Sequence, residues 1–262
     1  MSVDFSLVPG SAIASAVFIE QEYKRSGVGG LLLPQKVALI GQYNSGKTPT
    51  NNQPLAITSA DEAANYFGLG SMLHLMAKAL FSGLGTSGVE VDAFPVGDGT
   101  GTAAGAIAVS GTSTTSGTIS LYIAGKLVSV AVASGTAKAD IATAIGNAIN
   151  ADLDLPVTAT VLDDDVTITC KWVGLSGNQI NIAQDLGSGE ASAEPGSVTL
   201  TITPMSSGSA DPSIETALAN LNQTFYTWVV CPYNADASCD FLEAAGAARI
   251  DPGVKKPFIG VV

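Results

Sequence analysis

Apolar runs of strand length and apolar positions at helical spacing alternate along this chain. Val37-Ala38-Leu39-Ile40 is a continuous apolar run, the pattern of a strand buried on both faces. Downstream, Ser59 with Glu62 three residues later is a capping box, so the spacing predicts a helix that starts there and stops at Gly68. Ser71 can cap a second helix with Met72, Leu75, Met76, Ala79 and Leu80 on one face, ending before Gly83. Val89–Phe94 alternates as a strand before Pro95. Strand, helix and strand in that order predict a crossover unit in a mainly parallel sheet.

From about Gly97 the composition turns to Gly, Ala, Ser and Thr, and the strands become short and alternating. Thr118–Ala124 and Leu127–Ala133 pair as a hairpin around Gly125-Lys126. Ile141, Ile145, Ala148 and Ile149 mark one amphipathic helix. Val157–Leu162 and Val166–Trp172 flank Asp163-Asp164-Asp165, and Ile180–Ala183 and Val198–Thr203 complete five or six strands. The three aspartates read as a solvated hairpin turn, since the spaced ligands, glycine and closing glutamate of a calcium loop are missing. Gly208–Asp211 reads as a Gly/Ser linker, after which the α/β pattern resumes.

Asp211-Pro212 can serve as N-cap and first residue of a helix burying Ile214, Ala217, Leu218 and Leu221. Phe225–Cys231 reads as a long buried strand, Asp236–Ala248 as a helix and Phe258–Val262 as a last strand. The expected organisation is an arm and linker over residues 1–30, an α/β core built from 31–97 and 209–262, and a β-rich α+β insertion domain over 98–208. The last strand would expose an apolar sheet edge, to be covered by a neighbouring chain or by residues that follow Val262. At the other end, the apolar stretch Ile13–Ile19 precedes the glycine-bearing Ser26–Gly30. It reads either as an arm pairing with a sheet edge, its own or a neighbour's, or as an ordinary N-terminal edge strand.

Only 13% of the residues are charged, with 29 glycines, and the mean hydropathy is +0.34. A surface this poor in charge is either covered in an assembly or solvated by Ser, Thr and Asn, and we favour assembly. The net charge of −12 with two arginines, Arg25 and Arg249, argues against a nucleic-acid partner. No apolar run reaches the ~18–20 residues that span a bilayer, and the N-terminus lacks the basic and apolar regions of a secretory signal. Cys170, Cys231 and Cys239 do not fit a disulfide framework or a zinc site, and the first two read as small core residues. The single histidine, His74, lies in Met72–Met76 and reads as a packed or half-exposed helical residue rather than a catalytic one.

One motif fits its pattern and fails its context. Gly41–Thr48 has the full Walker A spacing, with Gly41, Gly46, Lys47 and Thr48 at the defining positions. A working P-loop must then open a helix, whose N-terminal N–H groups hold the phosphates. Here Pro49 follows, biasing Thr48 away from the helical region, and Asn51, Asn52 and Pro54 favour turns. Two readings stand: a P-loop NTPase with Lys47 on the β/γ-phosphates and Thr48 on magnesium, or a polar loop leaving a buried strand with Lys47 solvated.

Several phrases resemble one family, the tail sheath proteins of contractile bacteriophages of the Mu-like type. They are Val37–Gln42, Ile57–Ala63, Phe67–Leu73, Ser116–Thr118 through Ile123–Gly125, Leu155–Ala159 and Gly174–Asn178, in order up to about Asp240. The resemblance implies a structural subunit, not an enzyme and without a cofactor, whose copies stack as hexameric rings around a tail tube and contract to drive it through the host envelope. It implies a subtilisin-like sheet topology without protease function, and a variable Gly-rich loop after the Leu39–Gln42 strand end. The implied partners are other sheath subunits, the tail tube protein, and baseplate and tail terminator proteins. The implied location is the virion tail, with assembly in the host cytoplasm. The family joins neighbouring subunits by N- and C-terminal arms that add strands to a shared sheet. That points to Val17, Phe18 and Ile19 for inter-subunit pairing, whereas a C-terminal arm has no counterpart after Val262. The insertion domain is expected to face outward.

Overall fold

The computed structural model describes residues 35–84, 89–185, 194–222 and 224–262. Its first strand, β1 (Lys36–Gln42), is buried from Val37 onward. The three-residue strand β2 (Leu55–Ile57) follows, then helices α1 (Ala60–Phe67) and α2 (Met72–Leu84) and strand β3 (Glu90–Val96). β1 and β3 are parallel, with Val37 opposite Val91 and Ile40 opposite Phe94. The crossover unit is therefore present, and β2 adds an antiparallel strand on the far side of β3. β2 escaped the sequence pattern because it is only three residues long. β3 also runs through Pro95, which lies beyond the β2 pairing at Leu55–Ile57 and so faces no neighbour on that side that needs its N–H.

The helix starts follow their caps. Ser59 Oγ accepts the Glu62 N–H at 3.1 Å. The Glu62 carboxylate reaches back one residue further than an ordinary capping box, accepting both the N–H and the hydroxyl of Thr58 at 2.7 Å. Those bonds hold the Glu62 carboxyl below its usual range. Ser71 Oγ likewise accepts the His74 N–H at the start of α2. The buried face of α2 is set by Met72, Leu73, His74 and Ala77, whereas Ala79 is exposed. The expected face through Ala79 and Leu80 is thus rotated toward Leu73 and Ala77, which pack against Val37, Leu39, Val91 and Ala93.

The second pass through this sheet comes from the end of the chain. Helix α4 (Glu215–Ala219), strand β11 (Trp228–Val230), helix α5 (Asp236–Ile250) and strand β12 (Ile259–Val261) complete it in the order β12-β11-β1-β3-β2. β11 is parallel to β1 and β12 is parallel to β11. Helices α1 and α2 cover one face, and Ile214, Leu218 and Leu242 from α4, α5 and the residue before α4 join the core on the other, as a largely parallel sheet requires. Two expectations need correction here. Asp211 does not cap α4, which begins at Glu215; its carboxylate instead accepts the Ser176 N–H at 2.8 Å. The long buried strand over 225–231 shortens to three residues, with Phe225 exposed while Tyr226, Val229 and Cys231 are buried.

Between these two passes lie, among the described residues, seven strands and one α-helix. A four-stranded antiparallel sheet has the order β10-β4-β8-β7, from β4 (Ala104–Ser110), β7 (Val157–Leu162), β8 (Asp165–Cys170) and β10 (Thr199–Ser206). A three-stranded sheet has the order β6-β5-β9, from β5 (Gly117–Ile123), β6 (Lys126–Val132) and β9 (Ile182–Gln184). Helix α3 (Lys138–Ala151) buries Ile141, Ile145 and Ile149 against them. The count exceeds the expected five or six strands because β4 was hidden. Its Ala-Gly-Ala-Ile-Ala-Val alternation carries small side chains on both faces, yet it is a central strand with Ile107 and Val109 fully buried. The β5–β6 turn is centred on Ala124 and Gly125, one residue earlier than expected, with φ of 52° and 78°. Two successive positive φ values are those of a type I′ hairpin turn.

Candidate assembly interface

The Walker-like residues come first, because they carried the rival chemistry. β1 ends at Gln42, and the chain turns at Ser45-Gly46, where Gly46 has φ +89°. No helix opens there, since Lys47 and Thr48 are non-helical and the next helix begins at Ala60. Asn44 N–H donates to Phe67 O, Asn44 Nδ2 to Leu69 O and Lys47 Nζ to Asn65 O at 2.8 Å. The loop is therefore bound to the C-terminal end of α1, where carbonyls and the negative end of the helix dipole attract a cation. A phosphate needs the opposite end. Gly41 closes β1 against the Met72 side chain, and Thr48 is exposed.

The rest of the chemistry in this region is structural. His74 is buried, and its Nδ1 accepts the Gly70 N–H at 3.0 Å. Burial depresses the imidazole below its usual value of 6.5, with the charges of Asp154, Lys78, Lys171 and Asp61 acting around it. Asp92, on the inner strand β3, accepts the Tyr226 hydroxyl at 2.6 Å and pairs with the Lys36 ammonium at 2.8 Å. Burial pushes the Cys170 thiol up to about 12 and the Cys231 thiol to about 11, so neither is a thiolate nucleophile at neutral pH. Among the described residues there is no group of three or more His, Cys, Asp or Glu placed to hold a metal ion. The Asp163-Asp164 turn is answered from within, by Lys138 on Asp164 at 2.5 Å. No helix among those described is long and apolar enough to cross a membrane.

What remains open is an edge. β12 has a single hydrogen-bonded neighbour among the described residues. Ile259 N–H donates to Thr227 O and Val261 O accepts from Cys231 N–H, so Ile259 and Val261 turn their backbone groups toward β11. Gly260, between them, turns its N–H and C=O outward, as strand alternation demands. The side chains of Ile259 and Val261 are 52% and 38% exposed, in register with Trp228 at 37%. This is a row of free backbone groups beside apolar side chains, the template that a further strand completes. The arm residues Val17, Phe18 and Ile19 lie outside the described residues. Sequence reasoning located the last strand but not the role of Gly260, whose lack of a side chain gave no signal.

No family model matches the chain. Against curated proteins, 252 of its residues are 29% identical to the Mu-like prophage FluMu tail sheath protein of Haemophilus influenzae, covering 96% of this chain and 51% of that protein. The chain is a relative of a Mu-like tail sheath protein. It spans about half the length of that relative. Among solved structures it has a likeness to the sheath tail protein of Listeria innocua, at 13% identity and a TM-score of 0.35 over 87% of this chain and 47% of that one. A second is the sheath tail protein of Desulfitobacterium hafniense, at 14% identity and a TM-score of 0.36 over 94% and 52%.

Proposed function

We propose that this chain is a structural subunit of a contractile phage tail sheath, polymerising around a tail tube and contracting to drive it through the host envelope. The observation that carries this reading is the sequence relation to a tail sheath protein over 96% of the chain. The open β12 edge supports it, because a subunit that shares strands with its neighbours needs an unpaired, partly apolar edge. In this reading Val17, Phe18 and Ile19 of one subunit supply the strand that a neighbour's sheet accepts. Other sheath subunits in hexameric rings, the tube, the baseplate and the terminator are the partners. The location is the virion tail, after assembly in the host cytoplasm.

The same reading treats residues 31–97 and 209–262 as an α/β core of subtilisin-like topology and 98–208 as an outward-facing insertion. Its support is that both ends of the chain contribute to one five-stranded sheet while the intervening strands form two others. Contraction requires no hydrolysis, since a metastable subunit packing can release stored energy by rearranging. Nothing in the loop at Gly41–Thr48 favours the nucleotide alternative. The test is a chain lacking residues 1–25. It should keep the far-UV circular dichroism and urea midpoint of the parent and lose sedimentable assemblies. Assembly at the parental concentration by the shortened chain would refute the role given to the arm.

A further inference from the structure

The chain leaves β1 toward β3 and leaves β11 toward β12, in opposite directions across the sheet. The crevice between the carboxyl ends of β1 and β11 is the switch point at which open α/β sheets hold their ligands. Here the chain itself fills it. Gln42, fully buried at the end of β1, donates through Nε2 to Val173 O at 2.7 Å and to Asp98 Oδ1 at 3.4 Å. Its Oε1 accepts the hydroxyl of Tyr233, just past β11, at 3.2 Å. Asp98 belongs to the first of the two segments by which the β-rich part meets the sheet, and Val173 follows β8 inside that part.

Those segments do not behave as linkers in their bonding. Gly99 N–H donates to Val173 O, Thr100 N–H to Ala210 O, Ala210 and Ser209 N–H to Thr100 O, and Gly174 N–H to Gly101 O. Asn178 spans Gly208 with both ends of its amide, each at 2.9 Å. A Cβ on Gly99 would overlap Ala210 O, and one on Gly208 would overlap Gly174 O. Gly208, which suggested a Gly/Ser linker at Gly208–Asp211, is instead needed because backbone lies against backbone. That corrects the sequence reading. A second seam lies nearby, where Lys171 Nζ donates to Leu69 O at 3.2 Å and Leu153 O at 2.7 Å and Lys78 pairs with Asp154.

We infer that the two crossings, residues 98–101 and 206–211, form a rigid clasp sealed by Gln42 in the switch-point crevice. The β-rich part and the sheet then move as one body, and force applied to either reaches the other without a hinge. The inference concerns the single chain and stands apart from polymerisation. It is tested by hydrogen–deuterium exchange on the whole chain, followed on peptides covering 98–101, 173–174 and 208–211. In the parent these peptides should be protected to the same degree as β1. Gly99→Ala should speed their exchange on the order of tenfold or more, leaving the β5–β6 hairpin unchanged. Gly97→Ala is the control, because its Cβ meets only Asn51 Nδ2 at 3.4 Å, and it should change nothing. Exchange of the parental crossings at the rate of unstructured chain would overturn the inference, as would unchanged protection in Gly99→Ala. If Gly99→Ala does not fold, the parental protection decides alone.

Discussion

A carboxylate on an inner strand of a sheet is costly to bury unless its charge is answered, and Asp92 is answered twice. The Tyr226 hydroxyl donates to it and the Lys36 ammonium pairs with it, while Lys36 also lies 5.6 Å from the Tyr226 ring centroid. Burial and the adjacent Asp92 charge both push the Tyr226 phenol far above its usual value, so it stays a donor at any working pH. Tyr226→Phe should therefore destabilise the chain by about 1–3 kcal/mol, read as a lower urea midpoint with an unchanged slope. A loss well under 0.5 kcal/mol would mean that Lys36 alone satisfies the carboxylate. His74 makes a pH prediction. Its folded value is lowered, so the stability due to the neutral imidazole is fully present above 6.5 and is lost as pH falls through the folded value. Protonation at Nδ1 also forfeits the bond from Gly70. The parent should lose urea resistance between pH 7.5 and 5, and His74→Gln should lose less; parallel curves would remove His74 from the account. Neither residue's role was readable beforehand. The apolar neighbours of His74 left packed and half-exposed placements open, and the partner of Asp92 comes from more than a hundred residues away in sequence.

Elements with a strong local signal were legible. The caps at Ser59 and Ser71 predicted two helix starts, and the alternation around Gly125 predicted the hairpin. What was lost depended on partners. β4 carries too little apolar bulk to announce itself, and β11 was overextended because aromatic residues at 225 and 226 look like strand whatever their neighbours do. The hairpin turn offers a direct test, since Ala124 holds φ +52°, a conformation that asparagine adopts more readily. Ala124→Asn should raise the free energy of unfolding by up to about 1 kcal/mol, and a decrease would contradict the type I′ assignment. At β12 the outward N–H of Gly260 gives another. Gly260→Pro removes that donor and none of the bonds to β11, and the added Cβ meets only Phe258 at 3.7 Å. The variant should remain folded by circular dichroism and fail to assemble; tubes of normal yield would exclude this edge from the interface.

At the scale of the whole molecule, a chain with 13% charged residues has few charged side chains with which to solvate a free surface. Two of its exposed apolar side chains, Ile259 and Val261, lie on β12, an edge strand of the largely parallel sheet with one hydrogen-bonded neighbour among the described residues. The order of β and α patterns made the parallel sheet legible. The Walker-like spacing was a distraction that only context resolved, because Lys47 faces the end of a helix that attracts cations. The clasp was invisible, since close backbone packing and a flexible tether select the same small residues. The most direct test of the sheath reading is negative-stain electron microscopy of the concentrated chain, with sedimentation velocity on the same sample. Rings or hollow tubes of regular period are the predicted result. Dispersed monomers at every concentration, with no particles of regular form, would contradict it.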